Sequence, residues 1–241
     1  MRLPKPFYQL PLRFDAQRLR AEVAALPASA WVRHPNDIKG NSAVRLISVD
    51  GGENDDVNGK MAPTGHLRDL PFVCQILSAF GVVWSRARLL RLAPGATVPE
   101  HADINYHWYT RVRLHIPIIT RPEVRFYCDD QSVHMAAGEA WIFDNWRLHR
   151  VENFTADERI HLVADTSGSS AFWRLVAQSE RGQGNVTEVA YAPERVAMPR
   201  TERTALAPVM TPAEVDLLTL DLRAELIAQQ GIADGQARLA R

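Results

Sequence analysis

Between Gly81 and Thr166 the chain breaks into short segments rich in β-branched and aromatic residues, cut by turn residues every eight to twelve positions or so, and this rhythm most constrains the fold. The segments are Val82–Leu92, Thr110–Ile119, Val124–Cys128, Ser132–Met135, Ala140–Phe143, His149–Asn153 and Arg159–Asp165. Pro94-Gly95, Asp129-Asp130, Ala137-Gly138-Glu139 and Ala156-Asp157-Glu158 separate them, residues that supply the dihedrals a tight turn needs. Short strands at this spacing read as a sandwich, a jelly roll or a barrel.

The flanks read differently. Asp15 is a helix N-cap, and Leu19, Val23 and Leu26 follow at helical spacing. Ser42–Val49 alternates as a strand and runs into the polar stretch Asp50–Gly59, a long surface loop with the character of a lid. That loop is acidic, but it lacks the Asp-x-Asp-x-Asp-Gly spacing of a calcium loop. Leu70–Phe80 and Phe172–Ser179 read as helices. Periodicity then fades to Pro212, where Thr211-Pro-Ala-Glu214 forms a capping box opening an amphipathic helix to about Gln230. The expected organisation is one domain over residues 1–241, with a mainly β jelly-roll core at about 80–166 and helical flanks at 1–79 and 167–241.

With 28 basic and 28 acidic residues the chain carries no net charge, so no global field draws it to nucleic acid or anionic lipid. No apolar run approaches the roughly 20 residues of a membrane helix, and the proline-containing amino terminus is not a secretory signal. Cys74 and Cys128 form no disulfide or metal pattern, as suits a reducing compartment, and the expectation is a cytoplasmic protein.

Six of the eight histidines lie inside the β-unit: His101, His107, His115, His134, His149 and His161. Pro94-Gly-Ala-Thr-Val-Pro-Glu sets up an extended segment that presents His101 and Asp103 two residues apart, on one face of a strand. A third ligand completes a facial triad, and two histidines with one carboxylate suit ferrous iron. The pair alone is weak, since His-x-Asp is commonly a surface hydrogen bond. His149, opening the strand after the Gly138–Asp144 turn and strand, is the best third ligand; His115, His161 and His107 compete for the place. Arg159 opens the neighbouring strand. Pointing inward, it would clamp a carboxylate beside the metal; pointing outward, it is a surface arginine beside Asp157 and Glu158. On the strand from Arg111, the residues Arg111, Arg113 and His115 share one face, and Val112, Leu114 and Ile116 share the other.

Taken together and in order, His101-x-Asp103, the strand Arg111–Pro117, the Gly138-Glu-Ala-Trp-Ile-Phe-Asp144 segment, His149 and Arg159 resemble the aspartyl/asparaginyl β-hydroxylase family of iron(II)- and 2-oxoglutarate-dependent dioxygenases. The resemblance spans about residues 80 to 166. It implies a double-stranded β-helix with Fe(II) on His101, Asp103 and His149, 2-oxoglutarate held by Arg159 with help from Arg113 and His115, and O2 as oxidant. It also implies a cavity whose cationic groups face Asp103 alone and suit a small dianion. Animal members acting on protein domains lack the metal carboxylate, whereas Asp103 is present here, as in small bacterial members that act on free amino acids. The retained carboxylate argues against halogenation.

The expected activity is therefore hydroxylation of an unactivated carbon of an amino acid, peptide or natural-product intermediate, with release of succinate and CO2. Tyr106, Trp108 and Trp146 are candidates for the substrate side. The rival classes are a cupin-like Zn or Mn hydrolase or isomerase, which needs no carboxylate clamp, and a non-catalytic ligand-binding jelly roll. The partner is a small molecule or peptide, with no nucleic acid and no membrane, and the protein is a monomer or homodimer according to whether the terminal helix caps the barrel or pairs.

Overall fold

The structure is a computed structural model that describes residues 1–33, 38–182, 185–203 and 209–239, without the side chains of residue 225 and residues 227–239. Part of the stretch before Pro212, and the side chains of the terminal helix from residue 227 on, lie outside the described residues. The chain forms two compact units, Met1–Ala205 and Leu206–Arg241.

In the first unit, β1 (Phe7–Phe14), α1 (Ala16–Ala24), β2 (Val32–Arg33), β3 (Asn41–Val49), β4 (Met61–Pro63), α2 (Gly65–Arg68) and α3 (Pro71–Ala79) precede the predicted core. The core follows as β5 (Trp84–Leu92), β6 (Thr97–His101), α4 (Tyr106–Tyr109), β7 (Val112–Ile119), β8 (Arg125–Cys128), β9 (Gln131–Val133), β10 (Glu139–Phe143), β11 (His149–Glu152) and β12 (Arg159–Thr166). After it come α5 (Ser170–Glu180) and β13 (Thr187–Val189).

The core strands divide between two antiparallel sheets. One runs β10-β7-β12-β5 and the other β6-β11-β8-β9. Following the chain, β5, β7, β10 and β12 lie in the first sheet while β6, the β8–β9 hairpin and β11 lie in the second, so the strand ribbon winds as the expected double-stranded β-helix. The flanks differ from their helical expectation. β1 and β13 extend the large sheet beyond β10, and β3, β2 and β4 extend it beyond β5. An edge strand of a jelly roll exposes unpaired backbone groups, and these short flanking strands satisfy them.

The large sheet is buried on both faces, which is why β7 and β12 read as continuous apolar runs interrupted by polar residues. On its outer face Val112, Leu114, Ile116, Ile160, Leu162 and Ala164 pack with Leu19 and Val23 of α1, Phe72, Ile76 and Leu77 of α3, and Phe172 and Val176 of α5. Each large apolar side chain buried there contributes about 1.5–3 kcal/mol. The inner face meets the small sheet through a second cluster of Leu92, Phe126, Cys128, Met135, Trp141, Phe143 and Val151.

Two local devices fix the helices and the barrel corner. α1 is capped by Asp15, as its sequence predicts, and its buried Glu22 accepts from the Phe72 and Val73 amides at 2.8–3.3 Å, capping α3, whose own N-cap position is Leu70. Free amides at a helix start favour an anion. Gly138 turns the chain into β10 at φ +84°, and a Cβ there would stand 2.3 Å from the Phe14 carbonyl oxygen. Only glycine lets these backbones approach this closely.

The second unit contains α6 (Pro212–Leu239), which opens with the predicted capping box: Thr211 Oγ1 accepts from the Glu214 amide, and the Glu214 carboxylate accepts from the Thr211 amide. Val215, Leu217, Leu220 and Leu222 of this helix are exposed. Among the described residues, no helix is long and apolar enough to cross a membrane.

Candidate metal centre

β6 and β11 are paired so that His101 lies directly opposite His149. The Asp103 amide donates to the Asn145 carbonyl at 2.8 Å, tying the residues after β6 to the turn before β11. One ligand atom each from His101, Asp103 and His149 lies within 4.8 Å of the others. The Nδ1 of His101 bonds the Pro99 carbonyl at 2.8 Å and that of His149 bonds the Arg147 carbonyl at 2.9 Å. A carbonyl only accepts, so both Nδ1 atoms carry the proton and both Nε2 lone pairs are free to coordinate. Burial pushes the His149 imidazole down to about 4, against the pull of the Arg147 carbonyl, so it is neutral at neutral pH as a ligand must be.

The triad stands in the wall of a cavity of about 320 Å³. Arg113, His115 and Arg159 line the same cavity, so all six residues singled out in the sequence converge on it. Arg111, expected on the same face as Arg113, goes elsewhere: it precedes β7, and its guanidinium forks onto Glu202 at 2.7 and 2.9 Å and bonds the His107 carbonyl. Of the three aromatic candidates Trp108 lines the cavity, with the Arg113 guanidinium 4.0 Å above its ring, while Trp146 donates to the Trp108 carbonyl.

The competing histidines have other partners. His107 faces Asp165 at 3.6 Å. His134 bonds the Val124 carbonyl. His161 accepts from Arg159 at 2.8 Å and lies 3.3 Å from His115.

Several charged groups of the site were not singled out in the sequence. Asp165 ends β12 on the face that carries Arg159 and His161, and it accepts from Arg113 Nε at 3.2 Å while Arg113 Nη1 donates to Asp103 Oδ2 at 2.8 Å. Burial alone would raise the Asp165 pKa, but Arg113, His107 and Arg86 outweigh it and hold the carboxyl well below its ordinary range. Burial likewise works against the Arg113 charge and is outweighed by Asp103 and Asp165. Arg86 and Arg88 of β5 and Asp55 of the 50–59 loop also line the cavity. Asp55 pairs with Arg45 and lies 3.6 Å from Arg88. The signal for Arg86 and Arg88 was present as two arginines at alternate positions of β5, on one face of the strand; Asp55 had no comparable local signal.

The cavity thus holds Arg86, Arg88, Arg113 and Arg159 against Asp55 and Asp103, with Asp165 behind them, rather than two arginines against Asp103. Arg159 is the unbalanced one. It is 4% exposed, it has no ion pair among the described residues, and burial lowers its pKa to about 9, which leaves it charged at neutral pH. A buried cation without a counter-charge is costly unless an anion joins it.

A family model described as Aspartyl/Asparaginyl beta-hydroxylase matches residues 56–168. L-proline cis-3-hydroxylase 1 from Streptomyces sp is 26% identical to the chain, over 67% of this chain and 60% of that protein, so the match falls short of two thirds of the relative's length. Among solved structures, a 2OG-Fe(II) oxygenase family oxidoreductase from Burkholderia pseudomallei aligns with a TM-score of 0.47 at 15% identity, over 65% of this chain and 80% of that one. A Pseudomonas putida prolyl-4-hydroxylase aligns with a TM-score of 0.44 at 16% identity, over 69% and 95%. The matched segment, residues 56–168, holds the triad, Arg113, His115 and Arg159, and over that segment the chain is similar to the aspartyl/asparaginyl β-hydroxylase family.

Proposed function

We propose that the chain is an Fe(II)- and 2-oxoglutarate-dependent dioxygenase that hydroxylates an unactivated carbon of a small amino acid-like substrate. The observation that carries this is the meeting, in one cavity, of a His-Asp-His cluster with free Nε2 atoms and a buried guanidinium lacking a counter-anion. Two imidazoles and one carboxylate are the donor set of non-haem Fe(II), which His101, Asp103 and His149 would hold. Fe(II) held there supplies oxygen activation coupled to the decarboxylation of 2-oxoglutarate to succinate and CO2.

The protein's part is placement and charge. Arg159 receives the distal carboxylate of 2-oxoglutarate, with His115 beside it. Arg113 holds one oxygen of Asp103 and leaves the other for the metal, while Asp165 fixes the far side of the same guanidinium. On the substrate side Arg88 Nη1 has no hydrogen-bond partner among the described residues and lies 3.6 Å from the Asp55 carboxylate. A cation and an anion side by side complement a zwitterion, and the hydroxylation of an amino acid by the Streptomyces relative, as its name states, agrees with this. His101, Asp103 and His149 are the metal ligands of this reading, and Arg159, Arg113 and His115 its cosubstrate side.

The test is spectroscopic and chemical. Without oxygen, Fe(II) and 2-oxoglutarate give a weak visible charge-transfer band that His149→Ala abolishes. With oxygen, mass spectrometry of amino-acid pools shows a gain of one oxygen atom that Arg159→Ala suppresses. A band that survives in His149→Ala overturns the ligand set, and oxidation indifferent to Arg159→Ala returns the site to a cupin-like metal enzyme.

A further inference from the structure

His161 is a buried histidine that the reading above does not use, and its surroundings dictate its proton. Arg159 Nη2 lies 2.8 Å from His161 Nδ1, and a guanidinium only donates, so Nδ1 carries a lone pair and the proton of the neutral ring sits on Nε2. Burial first, and then the Arg159 charge, hold this ring well below its ordinary pKa, in keeping with the neutral form. His115 Nδ1 stands 3.3 Å from the same lone pair, so it attracts only as a donor, and the His115 Nε2 is the unprotonated atom. Phe126 and Phe143 pack against the His115 ring at steep interplanar angles, with centroids 5.4 Å away. His161 Nδ1 is thus the shared acceptor of Arg159 and His115.

The Arg159 side chain has no other hydrogen-bond partner among the described residues, and its Nε is buried and unpaired. A long side chain with one anchor keeps several rotamers unless that anchor is rigid. We propose that His161 is a positioning residue: by accepting at Nδ1 it locks one edge of the Arg159 guanidinium and turns the remaining N–H groups toward the cavity, setting the affinity for the distal carboxylate of the cosubstrate. This rests on Arg159 being the cosubstrate clamp. Among the described residues, His161 is not one of those that line the cavity.

Asparagine carries an oxygen close to the place of Nδ1, whereas leucine keeps bulk without an acceptor. Binding of 2-oxoglutarate to the Mn(II)-loaded protein is measured by calorimetry. His161→Leu weakens it about tenfold, the loss expected for one charge-assisted hydrogen bond, with Mn(II) affinity within about twofold of wild type. His161→Asn restores most of the difference. Unchanged 2-oxoglutarate affinity in His161→Leu, or an equal loss in His161→Asn, overturns the proposal. Should His161→Leu fail to fold, nitrogen-15 spectra of the metal-free wild-type protein decide, since a protonated Nδ1 on His161 also overturns it. If Arg159→Met leaves 2-oxoglutarate affinity unchanged, the clamp assignment itself has failed, an outcome distinct from a failure at His161.

Discussion

His101 and His149 face each other across the β6–β11 pair, with ring centroids 4.3 Å apart and each Nδ1 turned away onto a backbone carbonyl two residues earlier in its own chain segment. The two imidazoles therefore owe their orientation to main-chain acceptors, and the Asp103 carboxylate owes its orientation to Arg113. The expected consequences concern the supports as much as the ligands.

Arg113 bridges Asp103 and the buried Asp165. Arg113→Met leaves Asp165 with the more distant Arg86 and His107, and unfolding in urea should show a loss of about 3–5 kcal/mol, the usual cost of removing one partner of a buried ion pair. Adding Asp165→Asn should recover part of it. A double variant no more stable than the single would show that the charge pair is not the cause.

The pH dependence has a fixed sign. Burial lowers His149 to about 4 from an ordinary 6.5, and lowers His107, His115 and His161 as well. As pH falls below about 6.5, the unfolded chain takes up protons that the folded one refuses, so the contribution of these groups is complete above 6.5 and declines below it, for His149 down to about 4. Asp165, also lowered, continues the loss through the carboxylate range. The unfolding free energy of the metal-free protein, measured in urea, should be level above about pH 7 and fall between about pH 6.5 and 4, by up to about 1.4 kcal/mol per pH unit for each histidine involved. A flat profile over that range would contradict the buried neutral histidines.

Glu22 caps a helix to which it does not belong. Glu22→Ala leaves the first amides of α3 buried and unpaired, and should destabilise the protein by about 2 kcal/mol, while Glu22→Gln, which keeps the acceptor, should cost less. Thermal unfolding distinguishes the two, and equal losses would place the effect in packing.

Asp55 ties the 50–59 loop to Arg45 and Arg88. Asp55→Asn weakens that tie, and hydrogen exchange of residues 50–59 should quicken by about fivefold to tenfold with global stability changed by no more than about 1 kcal/mol. Exchange at the wild-type rate would mean that the loop is held by its own turn bonds, such as Ser48 to the Gly52 carbonyl.

The amino-acid order by itself determined the strand rhythm of the core, the caps at Asp15 and Thr211, the pairing of His101 with Asp103 two residues on, and the polar alternation that brings Arg113 and His115 to one face. Each of these rests on dihedral preference, period or local hydrogen bonding, interactions among residues a few positions apart. Only the tertiary structure decided that Asp165 and Asp103 share Arg113, that Asp55 reaches the cavity from outside the jelly roll, that β1 and β3 widen the sheet, and that Arg111 turns to Glu202 instead of the cavity. Those outcomes depend on which distant charges burial brings together, and a buried charge selects its partner by distance in the folded state, where the low-dielectric surroundings make an unpaired one costly. Arg159 shows the division most plainly: its place at the start of a strand was legible, whereas its burial without an ion pair among the described residues exists only once β12 lies between β5 and β7.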